Sequence, residues 1–376
     1  MSSIAFRNGR IVLGNEVIDG SLAVEDGLIA GLAVGPSQAG EDLDGDYLIP
    51  GLVELHTDHL ENHYRPRPGV FWDARAALHA HDVQIAGSGI TTVFDAVRIG
   101  SDSDMPEMGR HVEALTGAIA SGLGDGWLRA DHLIHLRCEL PSHDVIEQFE
   151  THATHPEVRL ASMMDHTPGQ RQFRSLDDYK RFYGARRSPE ELERFIADRL
   201  ADHARYSEPH RTHIVRRAGE LGLSLASHDD ATLAHIEEAA RDGVAIAEFP
   251  TTLEAAAAAH DAGLAILMGA PNVVRGRSHS GNISATDLVR AGLLDILSSD
   301  YVPFALMQAA FILPERVEGL SLAAALATVT RNPARAAGLD DRGEIAMGKR
   351  ADLVRVQVIG GMPVVRGVWR QGKRVS

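Results

Sequence analysis

The stretch Gly51-Leu-Val-Glu-Leu-His-Thr-Asp58 is a short apolar run that ends in a histidine, a threonine and an aspartate. Side chains two residues apart in a β-strand project from the same face, so His56 and Asp58 are predicted to point the same way. A pair of this kind is, by itself, more often a hydrogen-bonded polar pair than a metal site. The stretch therefore predicts a buried strand. Whether His56 and Asp58 are a polar pair or part of a metal site depends on the residues that other parts of the chain bring to them.

Seven further apolar runs follow this one, with helix-like segments between them. The eight runs cover residues 52–56, 91–95, 132–139, 158–165, 221–227, 244–249, 264–268 and 293–298. Strands that alternate with helices are typical of parallel sheets, and eight βα units predict an α/β fold of the (β/α)8 TIM-barrel type.

Both ends of the chain show a different pattern, in which short β-rich runs are separated by turn residues. Asn8-Gly9 and Asp26-Gly27 interrupt the first segment, and residues 343–375 have the same character. We predict that residues 1–50 and 335–376 form one small β-domain, and that residues 51–334 form the barrel.

The longest gap between two runs, at about residues 167–221, is predicted to be a helical insert. Ser188-Pro-Glu-Glu191 has the features of a helix start, with Ser188 as N-cap, a proline in the first turn and Glu191 completing a capping box. A folded insert above a barrel mouth can act as a lid.

The composition restricts the class of protein. The 376 residues carry a formal net charge of −15, which argues against binding to nucleic acid or to a membrane surface. No segment has the apolar length of a signal sequence or a membrane span, so a soluble cytoplasmic protein is expected. The single cysteine, Cys138, excludes an internal disulfide and is predicted to be a buried small side chain. Homo-oligomerisation is left open.

Acids and histidines stand at the ends of several other predicted strands. They are Glu139, His166, His228 and Asp300. Barrel enzymes build their active sites from these strand ends, and imidazole with carboxylate suits zinc, manganese or iron. Glu139 is the candidate to bridge two ions, and Asp300 is the candidate to bind one ion and accept a proton from the attacking water. The alternative is that these are ordinary polar residues that end buried strands.

Three loops beyond the same strand ends are rich in arginine, amide and glycine. Their candidate substrate-binding residues are Arg67, Gln170, Arg171, Asn272, Arg275 and His279. Guanidinium groups and backbone amides bind phosphate or carboxylate oxygens, so the loops predict an anionic, phosphorylated small-molecule substrate. Each arginine alone is more often a solvated surface group. For His59, His63, His81 and Asp229 we expect supporting or surface roles.

Several longer motifs give the chain a resemblance to a known family. They are Leu48-Ile-Pro-Gly-Leu52, Leu136-Arg-Cys-Glu-Leu-Pro141, Asp165-His-Thr-Pro-Gly-Gln-Arg-Gln-Phe173, Ala226-Ser-His-Asp-Asp230, Glu248-Phe-Pro-Thr-Thr252, Met268-Gly-Ala-Pro-Asn-Val-Val-Arg275, Ser278-His-Ser-Gly-Asn282 and Ser298-Ser-Asp-Tyr301. These motifs resemble the PhnM family of phosphonate catabolism, within the amidohydrolase superfamily, and the resemblance covers essentially the whole chain.

The resemblance implies a divalent-metal diphosphatase that converts α-D-ribose 1-methylphosphonate 5-triphosphate to the 5-phosphate and pyrophosphate. It also implies a distorted (β/α)8 barrel flanked by a small β-sandwich made from both chain ends. By motif position, the implied metal ligands are His56, Asp58, Glu139, His166, His228 and Asp300, holding one or two ions, with zinc expected first and manganese or iron as alternatives. Asp58 stands where the superfamily commonly has a second histidine, and His59 and Arg277 replace an expected Asn and Gly.

Two other functions compete with this hypothesis. A C–N amidohydrolase, such as a deacetylase acting on a phosphorylated small molecule, would use the same metal ligands but needs fewer phosphate-binding loops. A catalytically inactive member acting as a binding protein would be expected to lack some ligands, whereas all six positions carry side chains that can bind a metal.

Overall fold

The computed structural model describes residues 3–101, 108–171, 176–184, 187–276 and 282–376. In these ranges the strands are β1 Ser3–Val12, β2 Val17–Glu25, β3 Leu28–Val34, β4 Glu41–Asp42, β5 Tyr47–Pro50, β6 Leu52–Thr57, β7 Ile90–Ile99, β8 Asp131–Glu139, β9 Val158–Met164, β10 Ser224–His228, β11 Ile246–Glu248, β12 Ala265–Gly269, β13 Ile296–Ser298, β14 Leu353–Ile359, β15 Met362–Arg370 and β16 Lys373–Arg374. The helices are α1 His59–Tyr64, α2 Ala74–Gly87, α3 Met108–Asp125, α4 Val145–His152, α5 Leu176–Tyr183, α6 Pro189–Leu221, α7 Leu233–Arg241, α8 Leu253–Asp261, α9 Ala270–Arg275, α10 Ala285–Arg290, α11 Ala305–Arg316, α12 Leu322–Ala327 and α13 Arg331–Ala336.

The two chain ends meet in one sheet. Its strand order is β16-β15-β14-β5-β1-β2-β3, and β4 pairs with β1. The junction is the antiparallel pairing of β14 with β5, in which Leu353 faces Pro50. Phe6 and Trp369, one from each chain end, pack edge to face at 4.8 Å between ring centroids in the apolar core of this sheet. The prediction that both termini build one β-structure is confirmed.

The other sheet has eight strands in the order β13-β12-β11-β10-β9-β8-β7-β6, which is their order along the chain. Each strand overlaps one of the eight apolar runs, with ends that differ by a few residues. The first and last strands approach each other, because Thr57 and Asp300 form a parallel β-bridge. Eight parallel strands separated by helices confirm the predicted (β/α)8 class.

The chain divides into two compact units. The first comprises Met1–Asp95, Ser121–Leu133 and Met268–Ser376, and the second comprises Ala96–Ala120 and Ile134–Leu267. His56, Asp58 and Asp300 belong to the first unit, and Glu139, His166 and His228 belong to the second. The domain boundaries expected from the sequence stay a prediction.

The longest helix, α6, begins as its sequence predicts. The Ser188 side chain accepts the N–H of Glu191, and the Glu191 carboxylate accepts the N–H of Ser188, which confirms the capping box. The helix ends at Gly222, whose φ of 69° lies in the left-handed region where glycine is least strained. Both helix ends are therefore specified by local sequence.

The composition also predicted a buried cysteine and no membrane span. Cys138 is buried, as predicted, and burial raises the pKa of its thiol above the ordinary value. Among the helices of the described ranges, none combines the length and apolar character needed to cross a membrane.

Candidate metal centre

In the first unit, the backbone brings three of the predicted ligands to one strand end. His56 is buried near the end of β6, and its carbonyl oxygen accepts the N–H of Asp300 at 3.1 Å. The carbonyl of Asp300 in turn accepts the N–H of Asp58 at 3.2 Å and the hydroxyl of Thr57 at 3.0 Å. Asp300 has a φ of 55°, a strained conformation that the reciprocal bonds hold in place. His56, Asp58 and Asp300 therefore share one rigid backbone support.

Glu54, which sequence reasoning did not single out, strengthens this support. Its fully buried carboxylate accepts the N–H of His56 at 2.6 Å through Oε1 and the N–H of Ser299 at 2.5 Å through Oε2. Burial raises the pKa of Glu54 to about 8, against the opposing effect of these two hydrogen bonds. The side chain joins Ser299, the residue before Asp300, to β6, so it supports the two strand ends that carry the predicted ligands His56 and Asp300.

In the second unit, Glu139 and His166 form a close pair. Glu139 ends β8 and is fully buried, and its Oε2 lies 2.6 Å from Nδ1 of His166 while Oε1 accepts the His166 backbone N–H at 3.1 Å. Burial opposes ionisation of Glu139, but the charge and hydrogen bond of His166, with Arg98 and Arg199 nearby, outweigh it and hold the pKa well below its usual range. Glu139 is therefore a carboxylate that fixes the orientation of His166.

His228 has a similar carboxylate support. Its Nδ1 lies 3.2 Å from Oε2 of the buried Glu248, and its Nε2 lies 3.6 Å from Oδ2 of Asp229. A histidine with one ring nitrogen held by a carboxylate presents the other nitrogen in a fixed direction, which is the usual arrangement behind a metal-ligating imidazole. Glu248 and Asp229 thus place a carboxylate near each ring nitrogen of His228.

His166, His228 and Asp229 form a donor set that fits a divalent metal. One ring nitrogen of each histidine and a carboxylate oxygen of Asp229 lie within 4.8 Å of one another. Asp229 has a φ of 55°, and burial raises the pKa of its carboxyl to about 6 despite the lowering effect of His166. Two imidazoles and a carboxylate suit zinc, manganese or iron, so the residues present fit the metal that the sequence predicts.

The predicted substrate-binding residues lie in different surroundings. Arg67 is exposed in the turn that ends at Val70, and Arg275 is exposed at the end of α9. Gln170 is half-buried, with its N–H on the Thr167 carbonyl at 3.0 Å. Asn272 accepts the N–H of Ala285 at 3.1 Å, and thereby links α9 to α10. The predictions for His279 and Arg277 lie outside the described residues.

Arg171, which the sequence predicts to bind substrate, contacts acidic side chains of the protein. Its side chain is buried, and its guanidinium pairs with Asp230 and lies 2.8 Å from Oε2 of Glu238. Nη1 also lies within 3.4 Å of the His228 carbonyl. In this arrangement Arg171 binds carboxylates of the protein and fixes the loop after β9 against α7, so a direct role in substrate binding stays a prediction.

The histidines near α1 form a separate group in the first unit. Nε2 of His59 and Nε2 of His63 lie 3.0 and 3.2 Å from Oε1 of Gln84, and Nδ1 of His59 lies 3.1 Å from the Tyr301 carbonyl. His81 is fully buried and contacts Asp95 at 2.8 Å. His59 and His63 thus make supporting contacts between α1 and α2.

Sequence reasoning therefore missed Glu54, Glu248, Arg98 and Arg199, and it gave Asp229 only a supporting role. Glu54 lies inside a short apolar strand and Glu248 is the last residue of another, where a buried acid is costly unless it is hydrogen-bonded. An acid within an otherwise apolar run of sequence was the signal that could have identified them. Arg98 and Arg199 have no comparable local signal, because each is one arginine among many.

Comparison with known proteins identifies the family. A model described as the amidohydrolase family matches residues 47–375. The chain belongs to the amidohydrolase family. Within it, a protein of Escherichia coli (strain K12) named alpha-D-ribose 1-methylphosphonate 5-triphosphate diphosphatase is 46% identical over 373 residues, covering 98% of this chain and 99% of that protein. This relative confirms the resemblance that the sequence motifs predict.

Solved amidohydrolase-type structures share the fold at low identity. 5-Methylcytosine deaminase from Klebsiella pneumoniae superposes with a TM-score of 0.68 at 14% identity, covering 99% of this chain and 97% of that chain. N-acetyl-D-glucosamine-6-phosphate deacetylase from Mycobacterium smegmatis gives a TM-score of 0.64 at 18% identity, covering 99% and 100%. At these identities the likeness shows the fold alone, and it agrees with the (β/α)8 class.

Proposed function

We propose that this amidohydrolase is a metal-dependent diphosphatase that cleaves the triphosphate of α-D-ribose 1-methylphosphonate 5-triphosphate, releasing pyrophosphate and the 5-phosphate. The observation that carries the proposal is the 46% identity to the Escherichia coli diphosphatase over 98% of this chain. The grouping of His166, His228 and Asp229 supports it, because this donor set suits a divalent metal.

The proposed ligands of one or two divalent ions are those predicted from the sequence, with one addition. They are His56, Asp58 and Asp300 in the first unit, and Glu139, His166 and His228 with Asp229 in the second. Zinc is expected first, with manganese or iron as alternatives. A bound divalent ion would polarise the phosphoryl group and lower the pKa of water.

The residues of the chain would contribute the remaining steps. The Asp300 carboxylate accepts the proton of the attacking water, which is the ordinary task of a carboxylate general base. Glu139 and Glu248 keep His166 and His228 in one orientation. The proposed contacts to the phosphorylated substrate are those predicted from the sequence, Arg67, Gln170, Arg171, Asn272, Arg275 and His279.

The proposal is tested by product analysis. Metal-loaded protein is incubated with the ribosyl triphosphate and pyrophosphate is quantified, with N-acetylglucosamine 6-phosphate as the competing amide substrate. We expect pyrophosphate release and no deacetylation, and a loss of about 10²–10⁴-fold in kcat for Asp300→Asn, the usual contribution of a general base. Amide hydrolysis without pyrophosphate release would favour the C–N hydrolase and exclude the diphosphatase.

The cellular compartment and the oligomeric state can also be addressed. We propose a cytoplasmic protein, in keeping with a single, buried cysteine and with a phosphorylated metabolite as substrate. Analytical ultracentrifugation of the metal-loaded protein would measure whether it is a monomer or a homo-oligomer.

A further inference from the structure

The side chain of Arg171 connects two loops of the second unit, and each loop carries candidate metal donors. Arg171 lies in the loop after β9 that also holds His166, and its guanidinium reaches the loop after β10, where His228 is followed by Asp229 and Asp230. There Nη1 donates to the carboxylate of Asp230 and lies 3.4 Å from the carbonyl oxygen of His228. One guanidinium nitrogen therefore contacts the residues on both sides of Asp229.

Both loops have a strained backbone near this connection. Arg171 has a φ of 41° and Asp229 has a φ of 55°, in the left-handed region that residues other than glycine rarely adopt. Such a conformation persists only where the surrounding contacts hold it. In the first loop, the N–H of Gln170 donates to the Thr167 carbonyl at 3.0 Å, and in the second, the N–H of Asp229 donates to the Glu248 carbonyl at 2.9 Å. The guanidinium of Arg171 adds a contact that holds both loops at once.

Asp230, which accepts this contact, is fully buried and is bound on several sides. Its Oδ1 accepts Arg171, its Oδ2 accepts the hydroxyl of Ser227, and its carbonyl oxygen accepts the N–H of Thr251 at 2.8 Å. Removing one partner of a buried ion pair leaves a charge that is costly to bury. We therefore expect loss of the Arg171 charge to displace Asp230, and with it the preceding residue, Asp229.

The contacts of Arg171 depend on the planar fork of a guanidinium. While Nη1 contacts Asp230 and His228, Nη2 donates to Oε2 of Glu238 on α7 at 2.8 Å. The same Oε2 lies 2.9 Å from Nη1 of Arg211 on α6, so Glu238 is itself fixed. Lysine has a single nitrogen at the end of its side chain and cannot reproduce these contacts in one geometry.

We propose that Arg171 is a positioning residue for the metal donor set of the second unit. It holds the loop that carries His228 and Asp229 against the loop that carries His166. The inference rests on the proposed function in taking these three residues as metal donors. Arg171 would act on the metal through the backbone of the donor residues, which is a different role from contact with substrate.

The test is the zinc affinity of the metal-depleted protein, measured by competition with a chromophoric chelator. Arg171→Lys keeps the positive charge but loses the fork, and it is expected to weaken zinc binding about 10-fold to 100-fold, the usual effect of losing a residue that orients metal ligands. Arg171→Gln also loses the charge and should weaken zinc binding at least as much. In the cobalt-loaded protein, the visible absorption spectrum depends on the geometry of the donor set, so it should change in both variants.

Arg211→Gln is the matched control, because Arg211 is 4% exposed and binds the same Glu238. Its other partner, Asp242, directly follows α7, so the variant breaks a buried ion pair next to Arg171 and leaves the contact of Arg171 with Asp230 in place. We expect a lower thermal unfolding midpoint, a zinc affinity equal to that of wild type and an unchanged cobalt spectrum. The control therefore separates positioning of the donor set from a general loss of stability.

Three results would overturn the positioning role. The first is wild-type zinc affinity with an unchanged cobalt spectrum in folded Arg171→Lys, which decides alone if Arg171→Gln does not fold. The second is an equal loss of zinc affinity in Arg211→Gln, which would show a general effect of stability. The third is a rise in KM for the ribosyl triphosphate at unchanged zinc affinity, which would favour the predicted contact of Arg171 with substrate.

The failure of this inference differs from the failure of the proposed function. Zinc affinity that depends on Arg171, in a protein that leaves the ribosyl triphosphate intact, would support the positioning role while removing the diphosphatase. Pyrophosphate release by wild type, with zinc binding that Arg171→Lys does not change, would do the reverse.

Discussion

The side chains of His166 and His228 show how a buried carboxylate holds an imidazole in one orientation. Each has one ring nitrogen next to a buried glutamate, Glu139 at 2.6 Å and Glu248 at 3.2 Å. The glutamate sets which nitrogen carries the proton and which way the ring faces. The chemistry of each histidine therefore depends on a partner from another strand.

This dependence gives a prediction for Glu248. Glu248→Gln is expected to weaken divalent-metal affinity about 10-fold to 100-fold, because the amide supports the imidazole less well than a carboxylate does. Competition titration against a chromophoric chelator measures the change. Glu237→Gln serves as the control, because Glu237 is exposed on α7. The metal affinity of this variant should equal that of wild type. Unchanged affinity in Glu248→Gln would remove the supporting role of the carboxylate.

At the scale of elements, a buried ionic network joins α2, β7 and β8 in the first unit. His132 places Nδ1 2.7 Å from Asp95 and Nε2 3.3 Å from Asp82, and Asp95 also contacts His81 at 2.8 Å. Arg129 binds Asp82 at 3.0 Å. Burial by itself disfavours the charged imidazole, but Asp95 and Asp82 outweigh it and raise the pKa of His132 to about 9.

The raised pKa predicts a pH-dependent contribution to stability. Since His132 ordinarily titrates near 6.5, its stabilising charge is fully present below that pH and is lost as pH rises towards about 9. His132→Gln is expected to lower the free energy of unfolding by about 3–5 kcal/mol at pH 6, the usual cost of breaking a buried pair. The difference from wild type should shrink as pH rises through this window.

Thermal unfolding between pH 6 and pH 9.5 measures this difference. His79→Gln is the control, because His79 is exposed on the same helix α2, and a surface change costs less than about 0.5 kcal/mol. A His132→Gln difference that stays constant with pH would contradict the assignment of a charged His132.

For the molecule as a whole, the terminal sheet ties the last strands of the chain to the first. β14 pairs with β5, and β5 pairs with β1, so both ends contribute to one hydrogen-bonded structure. Trp369 is 4% exposed and packs against Phe6. Burial of such large apolar surfaces is the main source of stability in a sheet of this size.

Trp369→Ala is expected to destabilise the protein by about 3–5 kcal/mol, through lost burial and the cavity left behind. Urea unfolding followed by circular dichroism measures the change. Trp72→Ala is the matched control, since Trp72 is 62% exposed, and its effect should stay within about 0.5 kcal/mol. Equal destabilisation by both variants would show that the terminal core does not carry this stability.

The sequence by itself determined the features that depend on near neighbours. Eight apolar runs predicted eight strands, Ser188-Pro-Glu-Glu191 predicted the start of α6, and turn residues predicted the β-structure of the chain ends. These three predictions succeed because strand periodicity, helix capping and turn geometry involve residues close together along the chain. Histidines and acids at strand ends could be proposed as ligands for the same reason.

Only the tertiary structure decided which side chains face one another across the fold. The pairing of Glu248 with His228, the binding of Arg171 to Asp230, and the approach of Arg98 and Arg199 to Glu139 all join residues far apart in sequence. A carboxylate or guanidinium has the same local pattern whether it meets solvent, substrate or a buried partner. Its role follows from the charges and donors that folding brings within a few ångströms, and single-sequence patterns do not encode those distances.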